Sequence, residues 1–280
     1  FQHSMQAITA RGRVAFAVTA GRDSRALLAA SRAVKDRLLA HTAIYGELDL
    51  DSPDLRIGAE LCRVAGLDYP PVACPHSMTE PFKGVFLQNH DPAHRCYGRI
   101  CQGLLDNFPA DTLCVRGNVS EVARCYYYPG GHHPAALTGS DLARHCKMPL
   151  SEFTRHHFDA WLADAVPAAK LGYNLLDLLY WEQRMANWLA VSQTQYDIIY
   201  DTFSPYNNRQ LVNLLLAAPT ETRIKPHFTL YHELIRAMWP ELAGFPFNPP
   251  ESGKAKLLHK FRKTRGQIGV LLGWRPIQVR

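Results

Sequence analysis

The sequence predicts an α/β protein: a doubly wound parallel sheet in the first half, followed by a mainly helical lobe. Three observations carry this. Residues 14–18, Val-Ala-Phe-Ala-Val, form a short unbroken apolar run of the kind found in strands buried on both faces. From there to residue 115, apolar runs alternate with amphipathic helical stretches at the pitch of βαβ units. Beyond about residue 138 the pattern becomes helical, with connections at Pro149, Pro167, Pro205, Pro219, Pro226 and Pro240. This divides the chain into an α/β lobe over residues 6–135 and a mainly helical lobe with a basic tail over residues 136–280. Residues 1–5, Phe-Gln-His-Ser-Met, read as the remnant of a cleavable tag and are expected to stand outside the fold.

Bulk properties bound the function classes. A chain of 280 residues, 47% hydrophobic and 20% charged, can bury a full core. No apolar run approaches a membrane span and no signal-peptide pattern is present, so a cytoplasmic protein without a membrane partner is expected. A net charge of +6 suits a polyphosphate or a nucleic acid without requiring either. Seven cysteines lack any Cys-x-x-Cys spacing and read as reduced thiols used as small hydrophobes.

The elements follow in order. After the strand at 14–18, Thr19-Ala20-Gly21 are small residues that permit a tight turn and close approach of a ligand. Asp23-Ser24 opens a helix over residues 24–40, with Leu27, Leu28, Val34, Leu38 and Leu39 at helical spacing. A strand, a small-residue turn and a helix start make an anion site, because backbone N–H groups converge there and the helix dipole favours negative charge. A second strand is expected at 41–45. A helix over 51–66 has both end signals, Ser52 as N-cap before Pro53 and Gly66 past the end. A short strand at 71–74, a polar region to Pro92, a helix over 93–108 and a strand at 112–115 complete the first half. Helices are expected at 140–146, 151–166, 171–191, 208–216 and 228–238, then an extended segment at 245–250. The tail 254–265 is basic, with Leu257, Leu258 and Phe261 on one side. Packing on the domain is preferred there to RNA contact, since little aromatic surface is interleaved to stack bases.

The thirteen histidines raise a zinc reading, through His90, His94 and Cys96, or Cys125, His132 and His133. Pro92 interrupts the first group and a Gly-Gly loop carries the second, so convergent tetrahedral ligands are not expected.

The turn has neither of the common phosphate-loop patterns. It resembles the PP-loop Ser-Gly-Gly-x-Asp-Ser of the ATP pyrophosphatases, a group that includes the synthetase domain of asparagine synthetases. Thr19 stands for the first Ser and Ala20 for the first Gly, while Gly21, Asp23 and Ser24 match. The resemblance continues in Asp54 through Ala65-Gly66-Leu67. It continues again in the stretch from Arg116 to Tyr128, which is similar to Ser-Gly-x-Gly-Gly-Asp-Glu-x-x-x-Gly-Tyr with one residue fewer. Gly117, Glu121 and Tyr126 match there, and the family's magnesium-holding Asp falls at Ser120. Tyr180 to Trp188 is similar to the Glu-x-Arg-x-Pro-Phe segment, where Glu182 and Arg184 read as packing residues.

The resemblance, over residues 13–250, implies an adenine nucleotide alpha hydrolase-like fold with ATP and Mg²⁺ as cofactors. It implies an AMP-forming amide ligase: a carboxylate attacks the α-phosphorus, pyrophosphate leaves, and an amine displaces AMP. Thr19, Ala20, Gly21, Arg22, Asp23, Ser24 and Gly117 would hold the nucleotide, and Ile44 and Tyr45 would line the adenine. Asp23 and Glu121 would hold the metal, with Arg116 and Arg124 neutralising phosphate and partly taking a metal's role. Lys225 and the lysines of 254–263 are candidates for the family's catalytic Lys. The expected partners are a small carboxylate and an amine, with a glutaminase or other upstream domain left open, since this sequence contains no glutaminase unit. Two alternatives remain. One is an RNA-modifying ATP pyrophosphatase, weakened by the lack of paired cysteines. The other is a non-catalytic nucleotide-binding or scaffold descendant, favoured by Ser120.

Overall fold

A computed structural model describes residues 1–45, 52–89, 96–134 and 136–250. Five strands, β1 (Val14–Ala17), β2 (Leu38–Ile44), β3 (Pro71–Ala73), β4 (Leu113–Val115) and β5 (Thr202–Phe203), form one sheet. Its order is β3-β2-β1-β4-β5 and every pair is parallel. The helices of the first half are α1 (Gln2–Thr9), α2 (Arg22–Ala30), α3 (Pro53–Ala65), α4 (Glu80–Asn89) and α5 (Tyr97–Asn107). Those of the second half are α6 (Gly139–His145), α7 (Glu152–Ala169), α8 (Leu175–Leu178), α9 (Ala190–Tyr196), α10 (Arg209–Leu216), α11 (Thr220–Arg223) and α12 (Thr229–Met238). The chain builds β1, β2 and β3 outward in one direction, then returns past β1 to lay down β4 and β5. The point where the direction reverses, between β1 and β4, is where open α/β sheets bind ligands. Among the described residues, no helix is long and apolar enough to cross a membrane.

The local signals of α3 hold: Ser52 Oγ accepts the Leu55 amide at 3.3 Å, and Gly66 closes the helix at φ 66°. The helix expected over 24–40 does not. It stops at Ala30, where Ser31 turns its hydroxyl back onto the Leu27 carbonyl at 2.8 Å, and a 3-10 segment, Arg32–Arg37, follows. Leu38 and Leu39 are strand residues, paired with Val14 and Ala15. Their helical spacing is incidental to a place beside the buried β1. The polar region before Pro92 contains α4, whose Phe86 is buried. Pro167 lies inside α7. The helix expected over 171–191 starts at Leu175 with an Asn174 cap, runs as a π-helix over Leu179–Leu189 and ends as α9.

Two larger expectations need correction. The opening residues belong to the fold: Met5 is fully buried and the Phe1 ring packs 4.9 Å from Tyr206. The second half is not a separate helical body either. It supplies β5, and Tyr206, Val212, Tyr231, Ile235 and Trp239 enter the same core as Val14, Phe16, Leu27 and Leu28. The α6–α7 region, around Leu142, Phe158 and Leu162, packs as a cluster apart from this core, and a further cluster joins Phe86, Ile100 and Leu104 to Tyr196 and Tyr200.

Candidate functional site

A cavity of about 360 Å³ opens at the carboxyl ends of β1, β2 and β4. Thr19, Gly21, Asp23 and Ser24 form one wall, and Thr42, Ala43 and Tyr45 form the wall at the end of β2. Arg116, Gly117 and Glu121 follow β4, and Tyr97 and Tyr196 close the far side. The topology thus brings together eight of the residues singled out by sequence: Thr19, Gly21, Asp23, Ser24, Tyr45, Arg116, Gly117 and Glu121.

The loop between β1 and α2 is held by its own side chains. The Thr19 amide donates to Ser24 Oγ at 3.2 Å, the two hydroxyls lie 2.9 Å apart, and the Gly21 amide donates to Thr19 Oγ1 at 3.2 Å. A Cβ on Gly21 would stand 3.1 Å from that hydroxyl, a tight contact that the loop would have to shift to accommodate. The Ala20 amide donates to Asp54 Oδ1 at 3.0 Å, so the first turn of α3 fixes the loop from the side. α2 begins at Gly21 without a side-chain cap. Its first-turn amides, on Arg22, Asp23 and Ser24, are therefore the donors that the local fold leaves for an anion.

The turn after β4 brings the acidic residues to this loop. A 3-10 turn, Ser120–Arg124, is bracketed by left-handed Val119 (φ 75°) and Cys125 (φ 48°). Arg124 Nη2 lies 3.1 Å from Asp23 Oδ2 and 3.2 Å from Glu121 Oε1. Burial pushes the Asp23 carboxyl up to about 6, against the pull of Arg124, and Glu121 adds to the rise. Burial opposes the charge of Arg124, but Asp23 and Glu121 outweigh it and hold the guanidinium above its ordinary value.

Several expected roles are changed by this geometry. Arg116 does not reach freely toward a phosphate. Its Nη1 donates to Ser192 O, Ser192 Oγ and Gln193 Oε1 at 3.0–3.1 Å, and the guanidinium stacks 4.0 Å from the Tyr196 ring. Arg22 turns away from the cavity wall and stacks on Phe228 and Phe247, at the edge of a second hollow shared with His232 and Arg236. Ala20 is buried behind the loop. Ile44 is absent from the wall, and its carbonyl accepts the Cys74 amide at 3.0 Å, leaving Ala43 and Tyr45 to face the cavity.

Arg124 lies between Asp23 and Glu121, the two carboxylates expected from sequence to hold magnesium. Both carboxylates are engaged by Arg124, and among the described residues no group of three or more His, Cys, Asp or Glu is placed to hold an ion. Of the zinc candidates, Cys125 is buried while His132 and His133 are exposed. His90, His94 and the tail 254–265 lie outside the described residues. Lys225 is exposed and is not part of the cavity wall. Glu182 accepts from Trp161 Nε1 at 2.9 Å, and Arg184 stacks 5.4 Å from both Tyr126 and Trp188.

Four residues of the cavity region carried no functional reading in the sequence. His41, in the wall, is pushed down to about 4 by burial and is neutral at physiological pH. Thr42 Oγ1 donates to Val18 O and receives the Tyr69 hydroxyl, which fixes the end of β1 to β2. Tyr196 supports Arg116. Arg25, fully buried, donates to the carbonyls of Phe245 at 2.6 Å and Pro246 at 2.8 Å, clamping the 242–248 segment over α2. The one available signal was Gly58 inside the α3 pattern. A helix glycine often marks a close approach, and this one makes room for Tyr69.

Fold and cavity define a class: a parallel α/β protein with a cavity at the topological switch point, where sheets of this kind bind ligands. No protein-family model and no curated protein sequence matches this chain.

Proposed function

We propose that the chain binds an adenine nucleotide in this cavity and uses it to activate a carboxylate for amide formation. The observation that carries the reading is the self-braced loop Thr19-Ala20-Gly21-Arg22-Asp23-Ser24, with its uncapped helix start, at the switch point of a parallel sheet. The likeness of that loop to the PP-loop supports the nucleotide, and the aromatic wall of Tyr45, Tyr97 and Tyr196 supports a planar base. In this reading the acid's oxygen bonds to the α-phosphorus as the bond to the bridging oxygen breaks and pyrophosphate leaves. The amine then bonds to the acyl carbon, loses a proton, and AMP departs. Fixed N–H donors aimed at the leaving pyrophosphate are the means of rate enhancement. The seven free thiols support a reducing, cytoplasmic setting.

The test is ATP titration followed by pyrophosphate release with panels of acids and amines. Absence of ATP binding overturns the proposal. One observation favours a second reading, a nucleotide-binding protein without turnover: Arg124 bridges the two carboxylates, and Ser120 stands where the family has an Asp. ATP binding that no acid converts to pyrophosphate release would select it.

A further inference from the structure

The cation position between Asp23 and Glu121 is filled by a side chain. One nitrogen, Arg124 Nη2, meets both carboxylates at 3.1 and 3.2 Å, and the three side chains are only 19–26% exposed. The backbone that presents them is pinned from several directions. Tyr206 Oη donates to Asp23 O at 3.1 Å, Tyr231 Oη to Ser120 O at 2.6 Å, Ser204 Oγ to Asn118 O at 2.7 Å and Arg223 Nη2 to Val122 O at 2.9 Å. These bonds surround Val119, a β-branched residue at φ 75°, a conformation that persists only when its surroundings impose it. The arrangement is thus a built one, and Arg124 cannot drift from it as a surface arginine would.

A divalent ion at the same pair would face a buried guanidinium at contact distance. Mg²⁺ binds oxygen at about 2.0–2.1 Å in near-octahedral geometry, whereas Asp23 Oδ2 and Glu121 Oε1 already face Arg124 Nη2, and the buried Asp23 Oδ1 has no hydrogen-bond partner among the described residues. Arg22 adds a second positive charge close enough to Arg124 to be disfavoured by it. Arg22 Nε and Arg124 Nε are buried with no hydrogen-bond partner among the described residues. Arg124 is thus a fixed positive charge beside the α2 first turn.

We propose that Arg124 stands in place of the divalent cation, so that this site takes a nucleoside polyphosphate without magnesium. The inference rests on the nucleotide reading above, and it assigns to Arg124 a binding role that the metal has in the family the loop resembles. Arg124 neutralises the two carboxylates, so that phosphate oxygens can meet the α2 first turn without a metal ion between. Removing it would leave two unpaired carboxylates facing one another, which is a cation site.

The experiment is calorimetric ATP titration of the wild-type chain in EDTA and in excess Mg²⁺, with Arg124→Gln and Arg124→Lys beside it. The wild type is expected to bind ATP with affinities in the two buffers that agree within about threefold. Arg124→Gln is expected to lose about tenfold or more in EDTA and to regain it with Mg²⁺. Arg124→Lys, which keeps the charge, is expected to stay indifferent to the metal. In a second measurement without nucleotide, Mn²⁺ paramagnetic resonance should report ion binding by Arg124→Gln and none by the wild type. Wild-type ATP binding that collapses in EDTA overturns the inference while leaving the nucleotide reading intact. Failure to bind ATP in either buffer removes the nucleotide reading and this inference with it.

Discussion

The Arg25 guanidinium lies 2.6 Å from the carbonyl oxygen of Phe245, a residue 220 positions further along the chain. The same side chain donates to Pro246 O at 2.8 Å and Ala20 O at 3.3 Å, and stacks 3.8 Å from the Phe247 ring. Asn248 completes the contact by donating its amide to Ala20 O at 3.1 Å. The carbonyl side of the β1–α2 loop is therefore covered by the far end of the described chain, which leaves its amide side to the cavity.

Arg25→Ala removes the donor to the carbonyls of Ala20, Phe245 and Pro246 and empties the space of a fully buried side chain. The expected loss is about 2–4 kcal/mol of unfolding free energy, because three hydrogen bonds from a charged donor and the packing of a buried side chain are lost together. Arg25→Lys keeps the charge but not the planar fork, and should recover only part. Urea denaturation measures both. A loss under about 0.5 kcal/mol, the size of an ordinary surface substitution, would show that the clamp is decorative.

Two glycines inside helices should respond to alanine with opposite signs. A Cβ on Gly58 would overlap the Tyr69 hydroxyl and lie 2.9 Å from Val18 O, so it must push apart the Tyr69–Thr42–Val18 chain. Overpacking of this kind costs about 1–3 kcal/mol, which exceeds the helix-propensity gain. Gly84 in α4 has open space where its Cβ would stand. Gly84→Ala should raise stability by up to about 1 kcal/mol. Thermal melting of the two variants is the measurement, and equal signs would refute the packing argument.

What could be read from the chain was what is local. Ser52-Pro53 and Gly66 mark α3 because a cap needs only its own turn. The β1 loop was legible because Thr19, Gly21 and Ser24 bond to one another. Misreadings arose where distant partners decide. Leu38 and Leu39 keep helical spacing with Val34, yet pairing with Val14 and Ala15 makes them strand. β5 is two residues long and exists through its pairing with Cys114 and Val115. Arg116 looked like a phosphate ligand in its motif, but Ser192 and Gln193 on α9 claim it. Arg124 could be counted as positive charge from sequence. That it stands between Asp23 and Glu121 follows only once the turn after β4 is folded against α2.

Asp23 and His41 should pull the acid side of the stability curve in opposite directions. Burial raises Asp23 from 3.8 to about 6 and lowers His41 from 6.5 to about 4. For Asp23 the folded state holds a proton that the unfolded chain releases. Its stabilising contribution is full below about pH 4 and is lost as pH rises through about 6. For His41 the unfolded chain takes up a proton that the folded state refuses, so stability is lost as pH falls from 6.5 toward 4. Asp23→Asn should therefore steepen the fall in stability between pH 6 and pH 4, by at most about 1.4 kcal/mol per pH unit. His41→Asn should flatten it. Urea unfolding at a series of pH values reads the slopes, and parallel curves for wild type and both variants would exclude these titrations.

Asp177 and Arg223 form a buried ion pair at 2.6 Å, with each side chain only 3% exposed. Asp177 also accepts the Tyr128 hydroxyl at 2.6 Å, and Arg223 also donates to Val122 O at 2.9 Å. The pair thus joins α8 and α11 to the turn that carries Glu121 and Arg124. Removing one partner strands the other charge in the interior. Asp177→Asn is expected to cost about 3–5 kcal/mol, and Arg223→Met a similar amount. The combined variant should cost clearly less than the sum, because neither charge is then left alone; a coupling of about 1.5 kcal/mol or more is expected from the cycle. It should not return to wild type, since Val122 O loses its donor in any variant without Arg223. Hydrogen exchange in residues 119–125 supplies the local readout. If the pair positions this turn, protection there falls more in Arg223→Met than in Asp177→Asn, and equal protection in the two would reduce the pair to a contributor to global stability alone.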